Sequence, residues 1–192
     1  MNDTQRIILA SGSPRRRELL RLITEEYEVL PADVEETIPA ELPLREAPEY
    51  LACLKAGAVA AAHPDALVIG SDTGVFIDGL MLGKPHSREE GREMLGRLSG
   101  RAHQVITGVC LRKGERVVRF SEVTEVRFLP LSDEEIERYL DTGEPFDKAG
   151  GYGIQGKGAL LVEGLEGDYY NVMGFPVARI ARALKQFTAE EG

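Results

Sequence analysis

A chain of 192 residues with 43% apolar and 29% charged side chains is that of an ordinary globular protein, long enough for one domain or two closely packed lobes around a sizeable core. Its net charge of −9, from 32 acidic against 23 basic residues, argues against the basic face of a general nucleic-acid binder, so any phosphate it holds must be met by locally concentrated cations. No apolar run reaches membrane-spanning length, Met1–Thr4 has no basic or apolar signal-peptide region, and the two distant cysteines, Cys53 and Cys110, suit a reducing, cytoplasmic compartment.

The first element is a short buried strand, Ile7-Ile8-Leu9, broken by Ser11-Gly12. Ser13 is a good N-cap, and Pro14 suits the first helical position. Leu19, Leu20, Leu22 and Ile23 then give the helix an apolar face. Arg15, Arg16 and Arg17 crowd the end of the helix that already carries partial positive charge, where stability alone would favour Asp or Glu. A glycine turn, two hydroxyls, backbone N–H groups and guanidinium groups together suit an anion, most naturally phosphate.

Tyr27–Leu30 reads as a second strand, and residues 31–39 as an acidic loop between two prolines. Ala47–Ala62 is predicted to be a helix, with Tyr50, Leu51, Leu54, Ala58 and Val59 at helical spacing and Lys55 near its middle. Ala66–Gly70 is a continuous apolar run, as expected of a central strand, and leads into Ser71-Asp72-Thr73-Gly74. Polar residues at the carboxyl end of such a strand are where open α/β sheets place their sites, which makes Asp72 a functional candidate; a turn or cap role is the plainer alternative. Val75–Leu82 reads as a hairpin about Asp78-Gly79. Gly83-Lys84-Pro85 lacks the spacing of a P-loop.

Ser87–Leu98 is predicted to be an amphipathic helix opened by a Ser87/Glu90 capping box and closed by Ser99-Gly100. Val105–Leu111 and Arg116–Leu129 read as two strands, the second alternating Thr124, Val126 and Phe128 with Glu125 and Arg127; this long hairpin is expected to build a second lobe. Ser132-Asp133-Glu134-Glu135 is another capping box, before a helix that buries Ile136, Tyr139 and Leu140. Residues 141–158 are unusually rich in glycine. Gly151, Gly153 and Gly156 match the dinucleotide fingerprint only formally, since no strand precedes them. The glycines permit close backbone approach to a ligand, Lys148 offers a phosphate contact, and Gln155 has a side chain that can read a base edge. Ala159–Val162 is predicted to be a strand, residues 167–170 a turn, and Phe175–Phe187 a final amphipathic helix. The three histidines, His63, His86 and His103, are too scattered to suggest a zinc site or a nucleophile triad.

Four motifs, in order along the chain, resemble the Maf family of nucleoside triphosphate pyrophosphatases. They are Leu9–Arg16, Gly70–Thr73, Leu82–Pro85 and Asp147–Gly156, supported by Asp168–Gly174. The resemblance implies an α/β fold with a long mixed, twisted β-sheet flanked by helices, two lobes about a central cleft within a single Maf-like domain over 1–192, and a likeness to the inosine triphosphate pyrophosphatases. It implies cleavage of a nucleoside triphosphate to the monophosphate and pyrophosphate with a divalent metal, Mg²⁺ or Mn²⁺. The branch acting on dTTP and UTP, including modified pyrimidine nucleotides, is favoured by Arg15, Thr73 and Gln155, which would set base choice. Asp72 resembles the family's proton acceptor. Glu36, and less directly Glu35, would join Asp72 as metal ligands, while Ser11, Arg15, Arg16, Lys55, Lys84 and Lys148 would bind phosphates. The partner implied is the nucleotide, with no nucleic acid and no membrane; a homodimer is left open. The rival readings are a nucleotidyltransferase and a nucleotide-sensing protein that regulates cell division. Two small departures from the family pattern, Gly74 and Gly151, touch backbone freedom rather than chemistry.

Overall fold

The computed structural model describes residues 5–189. Met1–Thr4, on which the expectation of no signal peptide rests, lies outside them. In chain order the elements are β1 (Ile7–Leu9), α1 (Pro14–Leu20), β2 (Glu28–Val29), α2 (Ala47–Ala62), β3 (Leu67–Ile77), β4 (Leu80–Leu82), α3 (Arg88–Leu98), β5 (Ala102–Lys113), β6 (Arg116–Phe128), α4 (Asp133–Leu140), β7 (Val162–Glu166), α5 (Tyr169–Val172) and α6 (Val177–Ala189). Short 3₁₀ turns occupy Leu44–Glu46, Glu144–Asp147, Ala149–Gly151 and Gly156–Leu161. The seven strands form one mixed sheet in the order β2-β1-β3-β5-β6-β7, with β4 paired to β3. β1 runs parallel to β2 and β3; β4 on β3 and β7 on β6 are antiparallel.

The chain divides into two compact units, and β3, β5 and β6 pass through both. The first takes residues up to Asp72, Thr107–Glu122 and the chain from Gly174. Its core packs Ile8 and Ala10 of the β1 strand and its exit against Ala52, Ala56, Val59 and Ala60 of α2, with Val68 and Cys110. Two glycines allow that close packing. A Cβ on Gly70 would lie 2.2 Å from the Ala52 carbonyl oxygen, and one on Gly108 would lie 2.2 Å from the Glu49 backbone nitrogen. The backbone of α2 therefore rests directly on β3 and β5, which no residue with a side chain at those positions would permit.

The second unit takes Thr73–Ile106 and Val123–Met173. Its core gathers Val75, Ile77, Leu95, Leu98, Val126, Phe128, Ile136, Tyr139, Leu140 and Tyr152. His103, Phe128 and Tyr152 stack edge to face, with ring centroids 4.7–5.4 Å apart. The Asp78-Gly79 turn takes positive φ at both residues, 53° and 75°, as a two-residue hairpin of this kind requires.

Several local readings change. α1 ends at Leu20 with Arg21 as its C-cap, and Leu22 is exposed. In α2 the buried face is carried by Ala52, Ala56 and Ala60 as much as by larger residues, and Ala58 faces out. The Ser87 hydroxyl caps Glu90 N–H at 3.2 Å, but the Glu90 carboxylate accepts from His86 N–H at 2.6 Å, so no reciprocal box forms there. At Ser132 the box is complete. The expected strand at Ala159–Val162 is a 3₁₀ turn as far as Leu161, and strand begins at Val162. Residues 169–172 close a helical turn capped by Asp168.

Candidate active site

The loop after β1 and the first turn of α1 form the base of the site in the first unit. Ser13 caps α1, and its first turn holds no acid. The buried Ser11 hydroxyl accepts from Ser13 N–H at 3.2 Å and from Arg16 Nη1 at 3.3 Å. Arg16 Nε donates to the Gly174 carbonyl at 2.9 Å, and the Ser71 hydroxyl donates to the same oxygen at 3.1 Å. This carbonyl thus ties the arginine to β3. Gly174 holds φ at 97°, a conformation that favours glycine. Burial draws the Arg16 pKa below its ordinary value; the Asp72 charge opposes that, Arg15 adds to it, and Glu36 opposes it. The guanidinium stays charged in any case, and these opposing effects place it in the field of both carboxylates.

Arg17 is held against the loop before α1. Its Nη2 donates to the Gly12 carbonyl at 3.3 Å, and its Nε is buried with no hydrogen-bond partner among the described residues. It supports the loop that carries Ser11 and Ser13.

Asp72 lies inside β3 rather than at its carboxyl end. The strand runs on because Val75–Ile77 pair with β4. Along the eleven residues of β3, burial lapses only at Asp72 and Thr73. Asp72 faces α2, where Lys55 offers its ammonium: Nζ lies 2.6 Å from Asp72 Oδ1 and 3.0 Å from Glu36 Oε1. Lys55 and Asp72 are largely buried, with side-chain exposures of 13% and 16%, whereas Glu36 is 49% exposed. Lys55 is therefore not a solvated helix lysine. It is held over β3 by the α2 packing that Gly70 and Gly108 allow. The result is a compact alternation of charge: two carboxylates share one ammonium, with a guanidinium in their field and a hydroxyl on the guanidinium.

A family model described as "Maf-like protein" matches residues 6–187. The chain belongs to the Maf family. It is 55% identical to a dTTP/UTP pyrophosphatase of Bacillus velezensis over 96% of this chain and 97% of that protein. It is 52% identical to a protein of the same name from Bacillus cytotoxicus, over 95% and 96%. A third, from Symbiobacterium thermophilum, is 52% identical over 95% and 94%. A solved nucleoside-triphosphatase / dITP/XTP pyrophosphatase from Mycobacterium abscessus aligns over 95% of this chain and 98% of its own, at 15% identity and a TM-score of 0.49.

In this Maf-family chain the remaining candidates fall in both units: Arg15 and Glu35 in the first, Thr73, Lys84, Lys148 and Gln155 in the second. Glu35 sits beside Glu36 but accepts from the Thr37 hydroxyl at 3.1 Å; the carboxylates on Lys55 are Glu36 and Asp72. Arg15 is half-buried beside Arg16. Thr73 opens the second unit, half-buried on β3. Lys84 is exposed after β4. Lys148, only 16% exposed, donates to the Glu144 carbonyl at 2.7 Å and to Asp147 Oδ1 at 2.5 Å. Gln155 is exposed at the start of the 3₁₀ turn Gly156–Leu161.

Among the described residues no group of three or more His, Cys, Asp or Glu side chains is disposed to hold a metal. Two carboxylates converging on one cationic centre nonetheless fit Mg²⁺ or Mn²⁺, hard ions that take one or two carboxylates and complete their shell with substrate phosphate oxygens and water. Ser71 and Gly174 fall within the motifs Gly70–Thr73 and Asp168–Gly174, but sequence reasoning gave neither a role of its own: a serine beside an aspartate draws less notice, and a backbone carbonyl has no letter of its own.

Proposed function

We propose that this chain hydrolyses dTTP and UTP, and modified pyrimidine nucleotides of the same shape, to the nucleoside monophosphate and pyrophosphate. The observation that carries the reading is Lys55 Nζ between Asp72 and Glu36, with Arg16 in the field of both acids. The printed names of the relatives, over nearly the whole chain, support the substrate class.

Phosphoryl transfer asks a protein mainly for positioning and for charge placed where the transition state spreads its own. Arg16, Arg15, Lys55 and the Ser11 hydroxyl supply that charge and hydrogen bonding to the phosphates. Asp72, largely buried on a rigid strand, accepts the proton of the attacking water or orients it. Asp72 and Glu36 would hold the divalent cation, which when bound neutralises phosphate charge and lowers the pKa of its water. Lys55, between the two carboxylates, offsets their mutual repulsion before substrate arrives. Lys84 and Lys148 would meet the outer phosphates, and Thr73, Gln155 and Arg15 would select the base. A cytoplasmic setting fits such an activity, and no described helix is long and apolar enough to cross a membrane.

The test is a nucleotide panel with Mg²⁺, read as pyrophosphate released. Preference for dTTP and UTP over purine triphosphates, lost on chelation with EDTA and restored by Mg²⁺, is the expected result. Tight nucleotide binding without turnover overturns the reading, as does pyrophosphate release only when an acceptor is added.

A further inference from the structure

The glycine-rich segment 144–158 looks flexible in sequence, yet one residue holds both of its ends. The Glu144 carboxylate accepts from Lys157 N–H, with Oε1 and Oε2 each at 3.1 Å, and from Gly158 N–H at 3.3 Å. Those are the second and third residues of the 3₁₀ turn Gly156–Leu161, whose N-cap is Gln155 and whose own cap makes no side-chain hydrogen bond. The carboxylate thus satisfies N–H groups that the turn leaves open, and its charge suits that end of the turn.

The backbone of the same residue holds the other side. The Glu144 carbonyl accepts from Lys148 Nζ at 2.7 Å. Glu144 N–H in turn donates to the Thr142 hydroxyl at 3.2 Å. The middle of the segment is fixed separately, where Gly153 N–H donates to the Tyr139 hydroxyl at 3.1 Å. The fit around the carboxylate is close: a Cβ on Gly156, which holds φ at 64°, would lie 2.8 Å from Glu144 Oε1.

We propose that Glu144 is a positioning residue that sets Gln155 through the turn it caps and Lys148 through its own carbonyl. The proposal rests on the reading of Lys148 and Gln155 as nucleotide contacts. Glu144 itself does not touch substrate. Its carboxylate fixes the backbone directly after Gln155, so the Gln155 side chain leaves the chain in one direction and searches fewer positions. The bond to Lys148 keeps that ammonium folded over the segment, ready to exchange Asp147 for a phosphate oxygen.

The experiment is a double-mutant cycle of Glu144→Gln and Gln155→Ala, read as dissociation constants for non-hydrolysable dTTP and dGTP analogues. Glutamine keeps the size but offers one acceptor and turns an NH₂ toward an N–H donor. Glu144→Gln is expected to reduce the dTTP-over-dGTP preference roughly 3- to 10-fold, about one hydrogen bond's worth. The double variant is expected to lose no more preference than Gln155→Ala alone, because the two act through one contact. Amide hydrogen exchange of Lys157 and Gly158 is expected to speed up in Glu144→Gln while α4 and β6 stay protected. Additive losses of preference, or an unchanged preference with the faster exchange, overturn the positioning role. Because the cycle is read by binding, a wild-type protein that discriminates but does not turn over refutes the pyrophosphatase reading and leaves this proposal decided on its own terms.

Discussion

Protonation of His103 is expected to destabilise the fold as pH falls, by an amount that follows from its surroundings. The side chain is 3% exposed, packed edge-on against Phe128 and Tyr152, and its Nε2 lies 2.7 Å from the Tyr152 hydroxyl. Nδ1 is buried without a hydrogen-bond partner among the described residues. Burial alone lowers the pKa from 6.5 to about 4. The unfolded chain therefore binds a proton that the folded chain refuses between those values. Stability is full above about pH 6.5, falls as pH drops toward about 4, and stays lowered below it. At 1.36 kcal/mol per unit, the full effect is about 3 kcal/mol, of which about 2 kcal/mol is reached by pH 5, before most carboxylates protonate. The assay is urea unfolding at pH 8 and pH 5 for the wild type and His103→Gln, which can still bond Tyr152. With a slope of about 2 kcal/mol/M, the wild-type midpoint should fall about 1 M more than that of the variant. His63 and His86 are common to both proteins, so their contributions cancel in the comparison. Equal shifts in the two proteins would refute the reasoning.

Two other perturbations probe the first unit. Asp72→Asn removes the carboxylate proposed as proton acceptor while keeping its size, and is expected to lower kcat by roughly 10² to 10⁴ with the folded structure intact by circular dichroism; near-normal turnover would move the role elsewhere. Gly70→Ala pushes a methyl group into the Ala52 carbonyl, 2.2 Å away, and is expected to cost about 3 kcal/mol by urea unfolding and to lower turnover by displacing Lys55; an unchanged midpoint would mean α2 does not bear on β3 as described.

Much of the fold is legible in the sequence because its signals are local. Ser13-Pro14, Asp78-Gly79 and Ser132–Glu135 act through their own backbone neighbours, and each forms the turn or cap expected of it. The misreadings come where distant parts decide. Asp72 looked like a strand end because four polar or small residues followed an apolar run, but pairing with β4 carries the strand through them. Ala159–Leu161 has strand composition, yet Glu144, more than a dozen residues away, holds the preceding amides in a 3₁₀ turn.

The site shows the same division. The arginines after β1 and the acid on β3 stand out by position and charge, so Arg16 and Asp72 were readable from pattern alone. Glu36 was visible only through the family resemblance, since an acidic residue in an acidic loop has no distinguishing spacing. Lys55 too was visible only through that resemblance, because helical periodicity does not say which neighbour a lysine meets. What decides its role is Gly70, the one residue in Leu67–Gly70 without a side chain, which lets α2 settle onto β3 and brings the ammonium to Asp72.

The central claim is that water attacks so as to separate the α- and β-phosphates. Phosphorus-31 NMR of dTTP incubated with the protein and Mg²⁺ reads this directly. Signals of the monophosphate and pyrophosphate, appearing together and in equal amounts, are predicted; the diphosphate with inorganic phosphate would contradict the account.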